Sequence, residues 1–172
     1  RICYAQKKPE KIWASFTPEE KAAFLTRLME LGHESPLEHA VFTFAIEGVS
    51  RSLSHQLVRH RIASFSQRSQ RYVAEGEFGV VVPPSIAAQP EAEKRFNYLI
   101  EEVRAGYNEL VKTGIPKEDA RYILPNACET QLIMTMNARS LLHFLRLRCC
   151  RRAQWEIREM AWEIRRLVRE AA

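Results

Sequence analysis

The sequence is poor in aspartate, in lysine and in long apolar runs. Asp119 is its one aspartate, and 7 of its 26 basic residues are lysine, which leaves 19 arginines. No apolar run reaches the roughly 18 residues that a membrane helix needs, and no signal-peptide pattern is present. There is no Gly-x-Gly-x-x-Gly and no P-loop, so the two commonest glycine-rich phosphate cradles are excluded. The four cysteines, Cys3, Cys128, Cys149 and Cys150, contain no Cys-x-x-Cys pair. They read as structural thiols in a reducing, cytoplasmic setting, with a Cys149–Cys150 redox pair as the alternative. His33 and His39 are isolated, and His33-Glu34-Ser35-Pro36-Leu37 lacks the second histidine of a zinc-protease motif, so no metal is expected. No local motif marks a Ser-His-Asp or Cys-His set.

What is present points to an anion. Between Glu47 and Glu75 there is no acidic residue. Inside that window lies RHRIASFSQRSQRY, residues 59–72, in which Arg59, Arg61, Arg68 and Arg71 stand among Ser64, Ser66, Ser69, Gln67 and Gln70. An unpaired charge is costly to bury, so the segment is either solvated or built to receive an anion. Serine and glutamine add short directional hydrogen bonds, and arginine's planar fork suits phosphate. The net charge of +5 agrees with this. For the C-terminal arginines, ordinary surface charge is an equal reading.

The length fits one domain, residues 1–172, with a full core. The start at Arg1 rather than methionine reads as a chain with trimmed ends. Thr17, Pro18 and Glu20 predict a capped helix start, ended by Gly32. Residues 41–49 predict a strand with Phe42, Phe44 and Ile46 on one face, and a helix follows from Ser50 to about Arg59. Val80–Val82 reads as a short strand stopped by Pro83 and Pro84. Pro90 to Thr113 is the clearest helix, with an apolar stripe of Phe96, Leu99, Ile100, Val103, Tyr107, Leu110 and Val111. Residues 128–137 alternate as a strand, with Leu132, Met134 and Met136 on one side. Helices over about 138–149 and 154–171 finish the chain, the last burying Ile157, Met160, Ala161, Ile164 and Leu167. The expected fold is α+β: a helix-rich single domain around a small, mostly antiparallel sheet.

Gln56 and Arg59 are three apart and share a face if the helix continues through them. Arg139, His143 and Arg146 form a polar stripe on a later helix. Arg148 falls on that helix's apolar side, where it either snorkels to water or is held in a dry pocket and aimed at a ligand.

Arg59-His60-Arg61, then seven residues, then Ser69, resembles the signature of the flavin-dependent thymidylate synthases. His33-Glu34-Ser35-Pro36-Leu37-Glu38-His39, Asn137-Ala138-Arg139-Ser140, Arg146-Leu147-Arg148 and Ala153-Gln154-Trp155-Glu156-Ile157 extend the likeness over nearly the whole chain. The resemblance implies reductive methylation of dUMP to dTMP, with methylenetetrahydrofolate as carbon donor and FAD as the redox cofactor reduced by NADPH. It implies a homotetramer whose active sites are shared between subunits. It places dUMP contacts on Gln56, Arg59, Gln67, Arg68, Ser69, Gln70, Arg71, Arg121 and Arg148, with Leu57 and Val58 contributing backbone or packing. It places FAD contacts on Ser35, Arg59, His60, Arg61, Gln67, Asn137, Ala138, Arg139 and His143. Arg148 would be the catalytic residue, stabilising negative charge on the uracil ring. Ser69 has no evident base beside it and is assigned to binding.

Two other readings compete. A nucleic-acid-binding protein would also carry an arginine-rich loop, although few aromatics interleave here. A non-catalytic subunit could bind a regulatory nucleotide through the same loop. The resemblance implies neither nucleic acid nor membrane as partner.

Overall fold

In a computed structural model, residue 6, residues 8–13 and residues 15–171 are described, and Cys3 lies outside them. After a short helix α1 (Pro9–Trp13), α2 (Pro18–Glu30) begins with the expected capping box: Thr17 accepts from the Glu20 N–H, and the Glu20 carboxylate accepts from the Thr17 N–H. A 3-10 turn, Ser35–His39, leads into β1 (Val41–Ser50), which runs directly into α3 (Arg51–Leu57). Then come β2 (Ser64–Gln67), α4 (Pro84–Ala87), α5 (Pro90–Lys112), α6 (Lys117–Ala120), a 3-10 turn Arg121–Ile123, β3 (Glu129–Asn137), α7 (Ala138–Arg148) and α8 (Trp155–Ala171).

The sheet has the order β1-β3-β2 and is antiparallel throughout, as the α+β reading expected. Its inner face pairs Phe42 with Met136, Phe44 with Met134, Ile46 with Leu132 and Phe65 with Met134. Leu53 and Leu57 of α3, Leu141 and Phe144 of α7, and Ile157, Ala161 and Ile164 of α8 close over it. Between Ile46 and Val49 the register slips by one residue. Gly48 sits in this bulge with φ +67°, a conformation that glycine adopts without strain. The slip keeps Val49 on the inner face even though it is an odd number of residues from Ile46. A second cluster, Phe78, Ile100 and Cys128, lies against the apolar side of α5.

Several expectations need correction. Val80–Val82 is not a strand: Val80 makes a single bridge to Cys128, and Pro83 and Pro84 supply no N–H to continue a ladder. Conversely, Ser64–Gln67 is a strand in the segment read as a loop, because Phe65 alternates inward between two outward serines. Leu99 and Leu167 are exposed. The α8 stripe ends instead at Val168, which packs on the core one helical turn after Ile164. Helix α3 stops at Leu57, so Arg59 lies beyond its end and does not share a helical face with Gln56.

The expected helix start at Ser50 has an unforeseen partner. The Ser50 side chain caps α3 by accepting from the Leu53 N–H at 3.0 Å. Its own N–H and hydroxyl both donate to the Glu156 carboxylate, at 2.6 and 2.5 Å, with Glu156 buried. A buried carboxylate is tolerable only when so satisfied. Glu156→Ala is expected to destabilise the fold by about 3 kcal/mol, the worth of two hydrogen bonds to a charged group. A urea unfolding curve reads this as a lower midpoint.

Candidate functional site

Helix α3 is seven residues long, roughly 10 Å, and several of the expected site residues belong to it or contact it. At the N-terminal end, Arg51 lies close enough to Arg121 for the two cations to repel. Burial and that repulsion both lower the Arg51 pKa, while the Glu75 carboxylate opposes them. Glu75 is 3% exposed and stands 3.6 Å from Arg68. Burial pushes its carboxyl above the usual range, against the pull of Arg68 and Arg51. Gln67 points inward, its amide donating to Ser54 Oγ at 2.9 Å and Thr130 Oγ1 at 3.1 Å. Arg71 pairs with Glu118 at 2.8 Å, and its backbone N–H donates to Ser69 Oγ at 3.2 Å. Ser69 and Gln70 are half-buried, and Ser69 lines a pocket with Ala45, Ser66 and Ile133 of the sheet.

Beyond the other end of α3, Val58 caps the helix and the exposed Arg59 follows. His60 turns inward and is 8% exposed. Its backbone N–H donates to the Leu57 carbonyl at 3.0 Å, and its ring meets Phe144 edge-on with centroids 5.0 Å apart. Arg148, at the last turn of α7, donates from Nε to His60 Nε2 at 2.8 Å. Nε2 is therefore unprotonated in this arrangement, and His60 is neutral with its proton on Nδ1. Arg148 is half-buried, and its two Nη groups have no hydrogen-bond or ion-pair partner among the described residues.

A third group surrounds the start of α7. Asn137 caps this helix through Oδ1, which accepts from the Ser140 N–H at 2.9 Å. The Ala138 N–H donates to the Ala40 carbonyl, so α7 begins beside the Ser35–His39 turn. Glu34, Glu38, Arg61, Ile62, Asn137, Arg139, Ser140, Leu142, His143 and Arg146 line an open pocket of about 310 Å³. Arg139 bonds to Glu38 at 2.6 Å and lies 3.4 Å from Glu34; Arg146 lies 3.9 Å from Glu34.

The expected FAD residues Ser35, Arg61, Asn137, Ala138, Arg139 and His143 thus meet around one helix start, with His60 next to them. Gln67 does not join them. The expected dUMP residues do not gather in one place: Gln56, Leu57, Val58, Arg59 and Arg148 lie at or beyond the C-terminal end of α3, Arg121 lies near Arg51 at its start, Gln67 bonds to Ser54 within it, and Ser69 lines a pocket with Ser66 and Ile133 of the sheet. The absence of acids from residues 48–74 does not leave all these arginines unpaired. Glu75, Glu118, Glu34 and Glu38, all outside the acid-free window, reach Arg68, Arg71 and Arg139. Among the described residues Arg59 and Arg61 have no such partner. Arg51 and Glu75 were not foreseen, although Glu75 is the first acid after the window and Arg51 follows the predicted helix start at Ser50.

No group of three or more potential metal ligands exists among the described residues. Cys128 is fully buried with its thiol pushed up to about 12, mainly by burial, which fits a structural thiol. Cys149 and Cys150 are both free. None of the described helices is long and apolar enough to cross a membrane.

The raised pKa of Glu75 has a measurable consequence. Folding takes up a proton as the pH falls from above the folded-state value toward the ordinary 4.5. The stability this group contributes is complete below 4.5 and is lost as pH rises through the folded-state value. Glu75→Gln should flatten that part of the stability profile and hold its melting temperature better than the parent just above it. Melting curves taken in steps between about pH 4 and pH 7 would read the difference.

A family profile described as thymidylate synthase complementing protein matches residues 1–172. Among curated relatives, the flavin-dependent thymidylate synthase of Geobacter sulfurreducens is 52% identical over 174 residues, covering 100% of this chain and 75% of that protein. That of Clostridium tetani is 46% identical, over 100% of this chain and 76% of its own length. That of Pyrococcus furiosus is 51% identical over 81% of this chain and 59% of its own. The chain belongs to the flavin-dependent thymidylate synthase family.

Proposed function

We propose that this member of the family is a single-domain enzyme, residues 1–172, that converts dUMP to dTMP by reductive methylation. Methylenetetrahydrofolate is the carbon donor, and NADPH reduces the bound FAD. The observation that carries this reading is the whole-chain match, joined to an arginine, Arg148, fixed at Nε with both Nη groups open. Arg59 stands one residue from the histidine that anchors it.

Each residue's part follows from its surroundings. Arg59, Arg68, Arg71 and Arg121 supply charge and forked hydrogen bonds for the nucleotide phosphate. Gln56, Ser69 and Gln70 offer directional hydrogen bonds for the sugar and base, and Leu57 and Val58 support them through backbone and packing. Gln67, already bonded to Ser54 and Thr130, braces the segment it begins. Arg148 acts on charge: a permanent cation facing the uracil lowers the energy of negative charge at N3 and its adjoining oxygens, which activates C5.

The flavin fits the third group of residues. Arg61, without an acidic partner among the described residues, offers a cation for a diphosphate beside the start of α7. Asn137, Ala138, Arg139, His143, Ser35, His60 and Arg59 line the approach, and Glu34 and Glu38 compete with the cofactor for Arg139. When bound, the flavin supplies the reducing equivalents.

A homotetramer with shared sites would account for nucleotide residues that one chain leaves apart, Arg148 beyond the end of α3 and Ser69 beside the sheet. A neighbouring copy would bring one half-site against the other. We place the enzyme in the cytoplasm, with small-molecule substrates and neither nucleic acid nor membrane as partner. The carboxylate pairing of Arg68, Arg71 and Arg139 works against an open basic stripe for a polyanion.

Arg148→Ala should abolish dTMP formation while flavin absorbance stays with the protein through gel filtration. Turnover at the parent rate would remove Arg148 from the chemistry. Arg59→Ala should weaken dUMP and FAD together, by roughly tenfold or more for each lost charge-assisted contact. Titrations that leave both affinities unchanged would take Arg59 out of the site.

A further inference from the structure

The segment between α3 and β2 touches the last turn of α7 through one side-chain hydrogen bond, and that bond joins a residue expected at the cofactor to one expected at the substrate. We infer that His60 is the positioning residue for Arg148: as a neutral acceptor it fixes the guanidinium by its Nε–H and leaves both Nη groups for the nucleotide. The inference rests on the role proposed for Arg148 and deepens it by adding a condition under which that role is available.

Three observations fix the geometry. The 2.8 Å bond uses the donor of Arg148 nearest its chain and the outer nitrogen of the imidazole. The edge-on Phe144 ring, 5.0 Å away, sets the plane of the imidazole. The His60 N–H on the Leu57 carbonyl ties the histidine to α3, so Arg148 is referenced to the helix that carries Gln56. An arginine side chain has several rotatable bonds, and holding Nε removes most of that freedom before substrate arrives.

The surroundings keep His60 neutral. Burial lowers its pKa first, then Arg148 and His143, both from α7, lower it further. Arg59 and Arg61 flank it in sequence, α3 presents only the Leu57 backbone, and no carboxylate among the described residues acts on it. Protonation would remove the acceptor and set two cations against each other. Arg148 would then leave its position as the pH falls below the ordinary histidine value of 6.5 and through the folded-state value.

The test is the pH profile of kcat/KM for dTMP formation by flavin-loaded enzyme, parent against His60→Gln and His60→Leu. The glutamine amide oxygen reaches the place of Nε2 and cannot be protonated in this range. The dUMP phosphate titrates near pH 6 in every variant, so the comparison isolates the enzyme's own acid limb. The parent should lose activity at acid pH more steeply than His60→Gln, whose kcat at high pH stays within about tenfold of the parent. His60→Leu should fall by roughly tenfold or more in kcat at all pH values and show only the substrate limb. An acid limb identical in parent and His60→Gln, or parent-like kcat in His60→Leu, would overturn the inference. A change in FAD affinity alone, with the acid limb retained, would also overturn it and leave His60 as a cofactor contact only.

Should the His60 variants fail to fold, dUMP titration of flavin-loaded parent and Arg148→Ala decides the matter. Loss of the extra acid limb in Arg148→Ala supports the inference, and its persistence overturns it. Parent enzyme that makes no dTMP at any pH would instead sink the enzymatic reading itself.

Discussion

A seven-residue helix cannot hold itself together in water, yet the candidate site depends on the placement of α3. The fold solves this by gripping the helix from outside at both ends. At the start, the buried Glu156 of α8 takes both donors of Ser50, the residue that caps α3. Past the end, His60 is fixed by Arg148 and Phe144 of α7. Two adjacent C-terminal helices therefore set the position, tilt and register of the short helix between them, while Leu53 and Leu57 bury its inner side. The two ends of α3 then become fixed platforms for charged groups.

Charge is organised around those platforms. The chain excludes acids from residues 48–74 and returns them from elsewhere, where each can be aimed. Glu75 meets Arg68 from the end of the window, Glu118 meets Arg71 from α6, and Glu34 and Glu38 meet Arg139 from the cap and the body of the 3-10 turn. These pairs are mostly exposed and contribute little to stability individually. Their larger effect is to hold long side chains in defined places, from which a phosphate can attract them. Arg59 and Arg61, lacking such partners among the described residues, are the positions where an incoming anion meets the least competition.

Much of this was legible in the sequence. The cap at Thr17, the helix start at Ser50, the alternation over residues 128–137 and the stripe of α5 are local signals, and they produced the right elements. What escaped was non-local. Gly48's bulge is visible only once Ile46 and Val49 are paired with β3. Ser64–Gln67 looked like a loop because a single inward Phe65 is too weak a pattern without its partner strand. Glu156 and Ser50 are more than a hundred residues apart, and nothing in either neighbourhood announces the other. The site followed the same division. The Arg59-His60-Arg61…Ser69 spacing suggested candidate residues, but only the fold set Ser69 beside the sheet and brought His60 onto Arg148.

The central claim is that this chain holds a flavin and a nucleotide in communicating sites. Its most direct test is the visible absorbance of the FAD-loaded protein, followed anaerobically after addition of NADPH, with and without dUMP. The account predicts a flavin spectrum that bleaches, at a rate that dUMP changes. A protein that stays colourless after incubation with FAD, or a bound flavin whose reduction ignores dUMP, would contradict it.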